Sequence, residues 1–433
     1  MERTLIQLFL ILFLTSCGQY KERDWLANDL SEVQSIDPVD TNYSDLAPLK
    51  KAIGSSKIVL LGEQEHGDGS TYLAKSRLVK FLHNEMGFNI LAFESDFFGV
   101  NKAWEDYQKG DKDYQDVLDQ VYIFWSKSQM CEDLFQTVEE SQDTQNPIIL
   151  TGFDNQQLTN VSRQELIPSL DSIIHQHGVS ISPPDLGFFK KTLEEAMNKF
   201  HDQEITPGNQ DRFLSILHAL LKEFQMKDID PFWVQELKNT RGFMRHTWYW
   251  WIDREKDMVN NNYRDFQMAQ NCLWLLNEKY SGKKMIVWAA NGHITKTDTL
   301  FNVETEGWKP SMRQYPMGEV LFDSLGEEMY SLGFTSFKGE STSLKYDSEA
   351  HDFVFQSYQF EPADSTSIEF ELKETGFEYA FINLREQLGS RNKVDKRIRI
   401  WRPEYVTGEL SNIYDGIFYI YDMKPNEKTL TAE

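Results

Sequence analysis

The chain has 433 residues, longer than the roughly 250–300 residues at which one core usually stops growing, so two domains or one core with a large insertion is expected. Lys and Arg number 44 against 68 Asp and Glu, a formal net charge of -24, which excludes a protein that binds nucleic acid by neutralising its backbone. Cys17, Cys131 and Cys272 are too few thiols for a disulfide framework, and the 13% of aromatic residues supplies material for packing or for lining a cleft.

The first 16 residues read as a signal peptide: Arg3 precedes a short apolar stretch, Leu5 to Leu14, too short to span a bilayer as a helix. The "LTSC" that follows is similar to the lipobox of bacterial lipoproteins. That likeness implies cleavage before Cys17 and acylation of its thiol, with a plain secretory signal as the alternative. The expected location is the bacterial cell envelope, periplasmic or surface side, with the lipid as the membrane contact. Residues 17–45 are polar and aperiodic and read as a tether.

Residues 46–433 are expected to form an α/β domain with a mostly parallel central sheet flanked by helices. "KIVLL", a helix from Thr71 to Met86 and "FNILAFE" make a βαβ unit, with Leu78, Phe81 and Leu82 on the helix's buried face and Gly87 at its left-handed cap. "PIILTGFD" at 147–154 is a third apolar run. From about 156 to 282 the pattern becomes long and helical, as in Phe213, Leu217, Leu220, Leu221 and Phe224, and predicts a helical insertion. "KMIVWAANGH" restores the strand signature, and "AFINLR" and "DGIFYIYDM" supply further strands. Cys272 falls on the apolar stripe Phe266, Ala269, Cys272, Leu273, Leu276, so it is expected in the core, as is Cys131.

The chemistry gathers where these runs end. Ligands of parallel sheets bind beyond the strands' carboxyl ends, and there stand Glu63, Glu65 and His66, then Glu94, Asp154 and His293. Glu63-x-x-His66 suits one face of a di-iron helix, but it follows a strand and sits between Gly62 and Gly67, so a loop is expected. His66 beside carboxylates is a candidate base; Glu94 inside an apolar run needs a partner, Lys75 or Arg77 from the intervening helix being the nearest in sequence. The "HTWYWW" aromatics at 246–251 read as core or cleft wall.

In "GEQEHG", with Lys75 nine residues after His66 and Glu94 closing the next strand, the chain resembles the erythromycin esterase family. "GFD" at 152–154, "YRDFQMAQNCLWL" at 263–275, "VWAANGH" and "YPMGEVL" carry the resemblance further. It implies hydrolysis of an ester, such as a macrolactone, by water. His66 would be the base, Glu63 and Glu94 its orienting groups, and His293 a group that binds substrate or stabilises charge. Lys75 would be a charge partner or oxyanion donor, and Glu65, Asp154 and Arg264 would be further substrate contacts. The family's first histidine after the fourth strand is replaced by Ala290. No cofactor is required by that chemistry. A second reading makes Glu63, His66, Glu94, Asp154 and His293 the ligands of a divalent metal in a metallohydrolase. A third is a non-catalytic haem-binding lipoprotein with His66 or His293 as axial ligand.

Overall fold

The computed structural model describes residues 26, 29–198, 206–252, 257–297, 302–303, 315–347, 352–385, 395–402 and 404–428. The expected signal segment and Cys17 lie outside them. The strands are β1 (Leu30–Val33), β2 (Ile58–Leu61), β3 (Phe88–Asp96), β4 (Ile149–Asp154), β5 (Lys284–Trp288) and β6 (Asn302–Val303). They continue with β7 (Met329–Asp347), β8 (Asp352–Phe360), β9 (Tyr379–Asn383), β10 (Asp395–Ile398), β11 (Val406–Glu409) and β12 (Gly416–Met423). The main sheet has the order β1-β9-β12-β7-β2-β5-β3-β4, with β8 paired to β7, and β10-β11-β6 form a small second sheet. From β12 through β7, β2, β5 and β3 to β4 every pairing is parallel, whereas β1, β9 and β8 attach antiparallel. The expected class, α/β with a mostly parallel sheet, is the observed one.

Alternation along the strands explains why the runs are apolar without interruption. Ile58, Leu60, Ile90, Ala92, Met285 and Val287 face one core, which holds the long helices between β4 and β5. Val59, Leu61, Leu91, Phe93, Ile286 and Trp288 face the other, under α1 (Gly69–Met86). A parallel strand covered on both faces has no polar side. The block between β4 and β5 contains Asn160–Gln176, Pro183–Asn198, Pro207–Met226, Pro231–Ile252 and α2 (Asp257–Trp274). Among the described residues, no helix is long and apolar enough to cross a membrane.

Two expectations change. Residues 29–45 are docked to the body and are no tether: β1 adds to the sheet edge beside β9, and the buried Arg77 donates to Asp45 at 2.8 and 2.9 Å and to the Ser35 and Asn42 carbonyls, both at 2.7 Å. A four-residue strand has too short a pattern to read. Phe266 is 51% exposed instead of lying on the core stripe with Ala269 and Cys272. The β7–β8 hairpin has no apolar signature in the sequence, because its outer half, "ESTSLKYD", is polar. Cys131 and Cys272 are buried free thiols, and burial pushes both above the ordinary thiol range.

Candidate active site

Register delivers the site. Leu61 of β2 and Phe93 of β3 both stand opposite Trp288 of β5, and Phe93 stands opposite Gly152 of β4, so one row of paired residues crosses all four strands near their carboxyl ends. Glu63, Glu94, Asp154 and the segment 289–293 lie just beyond that row, Glu94 within β3 and Asp154 at the end of β4. Between Phe93 and Asp96 the β3–β4 register shifts by one residue, a bulge of the kind that re-aims side chains, and Glu94 lies within it. Gly152 is needed there: a Cβ would stand 2.5 Å from the Asp96 carbonyl.

The loop after β2 builds the first half. Glu63 is fully buried, and four donors hold its carboxylate. Oε1 accepts from His66 Nδ1–H at 2.7 Å and Trp125 Nε1–H at 3.3 Å; Oε2 accepts from Lys75 Nζ at 2.8 Å and Trp288 Nε1–H at 3.0 Å. Anchoring Nδ1 as the donor leaves Nε2 of His66 as the free acceptor. The ring packs on Phe124 at 4.9 Å between centroids and edge-on to Trp125 at 5.5 Å, with 33% of the side chain exposed. Desolvation pulls the His66 pKa down, but the Glu63 hydrogen bond, the Glu63 charge and the Glu94 charge outweigh it, so the net shift is upward. Lys75 has no exposed side-chain surface and lies 4.2 Å over the Trp288 ring; burial lowers its pKa to about 8 against the pull of Glu63.

The second half is an ion cluster. Arg264 of α2 donates from Nε and Nη2 to Asp154 at 3.1 and 2.6 Å, and from Nη2 to Glu94 Oε1 at 2.8 Å. The other oxygen of Glu94 accepts the Ala290 N–H at 2.9 Å. His293 Nδ1 donates to Asp265 at 3.0 Å, and its Nε2 lies 3.3 Å from Glu94 Oε1 and 3.1 Å from Arg264 Nη1. Burial opposes charge on His293, yet the Asp265 and Glu94 carboxylates lift its pKa to about 10, so the ring is an imidazolium donating to both acids. Its contact with Arg264 then joins two cations that Glu94, Asp154 and Asp265 surround. Glu94 resists burial because His293 and Arg264 hold it well below the carboxylate range, and Arg264 is held well above its ordinary value by Asp154 and Glu94.

The structure therefore gathers His66, Glu63, Lys75, Glu94, Asp154, Arg264 and His293 at one rim. Glu94 and His293 also act on the charge of His66, which couples the halves. Lys75 is a charge partner, as expected, but to Glu63, and neither it nor Asp154 contacts substrate: both side chains are 0% exposed and engaged by Glu63 and Arg264. Arg264 and His293 keep 15% and 19% of their side chains exposed. Glu94 pairs with Arg264 and His293, since Lys75 goes to Glu63 and Arg77 to Asp45. Glu65 turns toward Arg402 and Asp68, and burial raises its pKa. Sequence reasoning missed Asp265, next to Arg264, and the donors Trp125 and Trp288. An acid beside the arginine on a core-facing helix was the available signal for Asp265; nothing local marked the tryptophans. Among the described residues, no group of three or more His, Cys, Asp or Glu is arranged to hold a metal ion. The carboxylates that a metal needs are occupied by Lys75, Arg264 and the Ala290 amide.

Residues 83–423 match the erythromycin esterase family. The chain belongs to that family. It is 27% identical to the Bacillus subtilis (strain 168) protein YbfO over 338 residues, which are 71% of each chain. It is 24% identical over 403 residues to an Escherichia coli erythromycin esterase type II, covering 88% of this chain and 93% of the relative. The fold matches that of the erythromycin esterase EreC, solved as a histidine-to-asparagine mutant in its open conformation. That match has a TM-score of 0.70 at 15% identity, over 92% of this chain and 98% of the other. Membership in this family makes the protein a hydrolase.

Proposed function

We propose that the protein cleaves a carboxylic ester by water that His66 activates. The reading rests on Glu63: four donors fix its carboxylate, Nδ1–H of His66 points into it, and Nε2 is left to accept a proton, on a side chain that is 33% exposed. Nε2 takes a proton from water as the water oxygen bonds to the acyl carbon, and the carbonyl π pair moves onto the carbonyl oxygen. The cationic His293 and Arg264 supply positive charge for that oxyanion. The oxyanion then reforms the carbonyl, the C–O bond to the alcohol breaks, and the alkoxide takes the proton from Nε2. The products are an acid, which carries the water oxygen, and an alcohol. Lys75, deeper in the site, holds Glu63 ionised and is a positioning residue.

A macrolactone is one substrate of this class, which the likeness to the Escherichia coli enzyme favours. Ala290 in place of the family histidine is the departure bearing on it, although the Ala290 N–H already serves Glu94. We propose catalysis without a metal or other cofactor, supported by the occupied carboxylates, and attachment to the cell envelope through a lipid on Cys17. The test is a panel of esters, macrolides included, assayed with and without chelator on the parent and His66→Ala. Turnover insensitive to chelator and lost in His66→Ala, which still melts cooperatively although Glu63 has lost one donor, is expected. Retained turnover in His66→Ala contradicts the reading, and loss with chelator transfers it to the metallohydrolase. A haem titration that shifts the Soret band at one equivalent points to haem binding instead. Release of Cys17→Ala protein from washed membranes tests the anchor.

A further inference from the structure

Past β12 the chain runs between two loops of the site. Ser70 N–H donates to the Lys424 carbonyl at 3.3 Å, Lys424 N–H to Ser70 Oγ at 2.9 Å, and Asn426 N–H to the Gly67 carbonyl at 2.8 Å. These bonds grip the loop that carries Glu63 and His66. On its other side the segment meets the loop of Phe124 and Trp125, where Gln129 N–H donates to the Glu427 carbonyl at 2.9 Å. Asn426 joins the two. Its side chain, in a residue only 2% exposed, donates from Nδ2 to the Phe124 carbonyl at 3.2 Å and accepts from Ser128 Oγ at 2.5 Å. Thr342 completes the clasp, with its Oγ1 donating to the Asn426 carbonyl at 2.8 Å and its N–H to the Gly67 carbonyl at 3.1 Å.

The glycines of the loop record how closely these pieces meet. A Cβ on Gly67 would stand 1.8 Å from the Thr342 carbonyl oxygen, and one on Gly69 would stand 2.3 Å from that of Pro425. Both side chains are excluded by backbone that cannot swing away, so this approach is the reason for "GDG" in the loop. The loop that Asn426 ties down on its far side carries the aromatic wall of His66 and the Trp125 donor to Glu63. We propose that Asn426, beyond the residues matched by the family, is a positioning residue that sets His66 against Phe124, Trp125 and Glu63.

The inference rests on His66 being the base, and its test separates the two. In Asn426→Ala, kcat is expected to fall about tenfold to a hundredfold, the cost of a small misplacement of catalytic groups, with KM little changed. The acid limb of the pH profile moves to lower pH, because His66 loses alignment with the carboxylate that raises its pKa. Amide hydrogen exchange speeds up in residues 63–70 and 122–129 together. Asn426→Asp keeps the Ser128 bond but sets a buried oxygen against the Phe124 carbonyl, and shifts kcat and exchange at least as far as Asn426→Ala. Ser128→Ala, a milder deletion, shifts kcat and exchange in the same direction and serves if Asn426→Ala does not fold. An Asn426→Ala or Ser128→Ala enzyme with the parent's kcat, acid limb and exchange overturns the proposal, while His66→Ala remains inactive. Turnover retained in His66→Ala overturns the hydrolytic reading, and loop exchange then decides the clasp alone.

Discussion

The two histidines of the site stand in opposite electrostatic settings. His66 spends one nitrogen on a buried carboxylate whose other donors are two indoles and a lysine, and its second nitrogen is free. His293 has both nitrogens against acids, Asp265 and Glu94, and stays cationic. The same residue type is thus made a proton acceptor in one half and a fixed charge in the other. The number of facing carboxylates decides which, and burial alone would have left both rings neutral.

The contrast breaks most severely at its ion cluster. Arg264→Met leaves Asp154 in the interior without its cation and Glu94 with only His293 and the Ala290 N–H, and a melting curve should show destabilisation of about 3–5 kcal/mol, the usual cost of removing one partner from a buried pair. Lys75→Met in the other half leaves Glu63 its His66, Trp125 and Trp288 donors, so denaturation should register a smaller loss, about 1.5–3 kcal/mol. Equal losses would mean that the halves do not differ as described. A finer probe is the pH profile. Because the His66 pKa is raised, kcat/KM should climb with pH to a midpoint above 6.5, and Glu63→Gln, which removes the raising charge and leaves desolvation, should bring the midpoint down. A midpoint that Glu63→Gln leaves in place contradicts the pairing.

His293 gives a quieter signature in stability. Its folded pKa lies above its unfolded one, so the stability it contributes is complete below about pH 6.5 and is lost as pH rises toward about 10. His293→Gln should flatten denaturant midpoints over that window. Smallest of all, Ala290→His should alter ester turnover less than any change above, since the backbone amide at this position already holds Glu94.

Much of this was legible beforehand, and the reason is geometric. Strands β2 to β5 are covered on both faces, so their sequences are unbroken apolar runs, and a polar residue directly after such a run marks the functional rim: Glu63, Glu94, Asp154 and His293 were all found that way. The partners were harder. Asp265, Trp125 and Trp288 come from a long helix, a single helical turn and a strand whose mutual approach depends on the whole topology, and Asn426 reaches the site from the far end of the chain. Charge pairing followed space and not sequence neighbourhood: Glu94 took Arg264, 170 residues away, over Lys75 and Arg77 on the adjacent helix.

Nitrogen-15 NMR of the two imidazoles, assigned with His66→Ala and His293→Gln, examines the electrostatic division at its source. The account predicts that His66 titrates above 6.5 into the Nδ1–H form and that His293 stays doubly protonated until the pH approaches about 10. A neutral His293 at pH 7, or a His66 that carries its proton on Nε2, would contradict it.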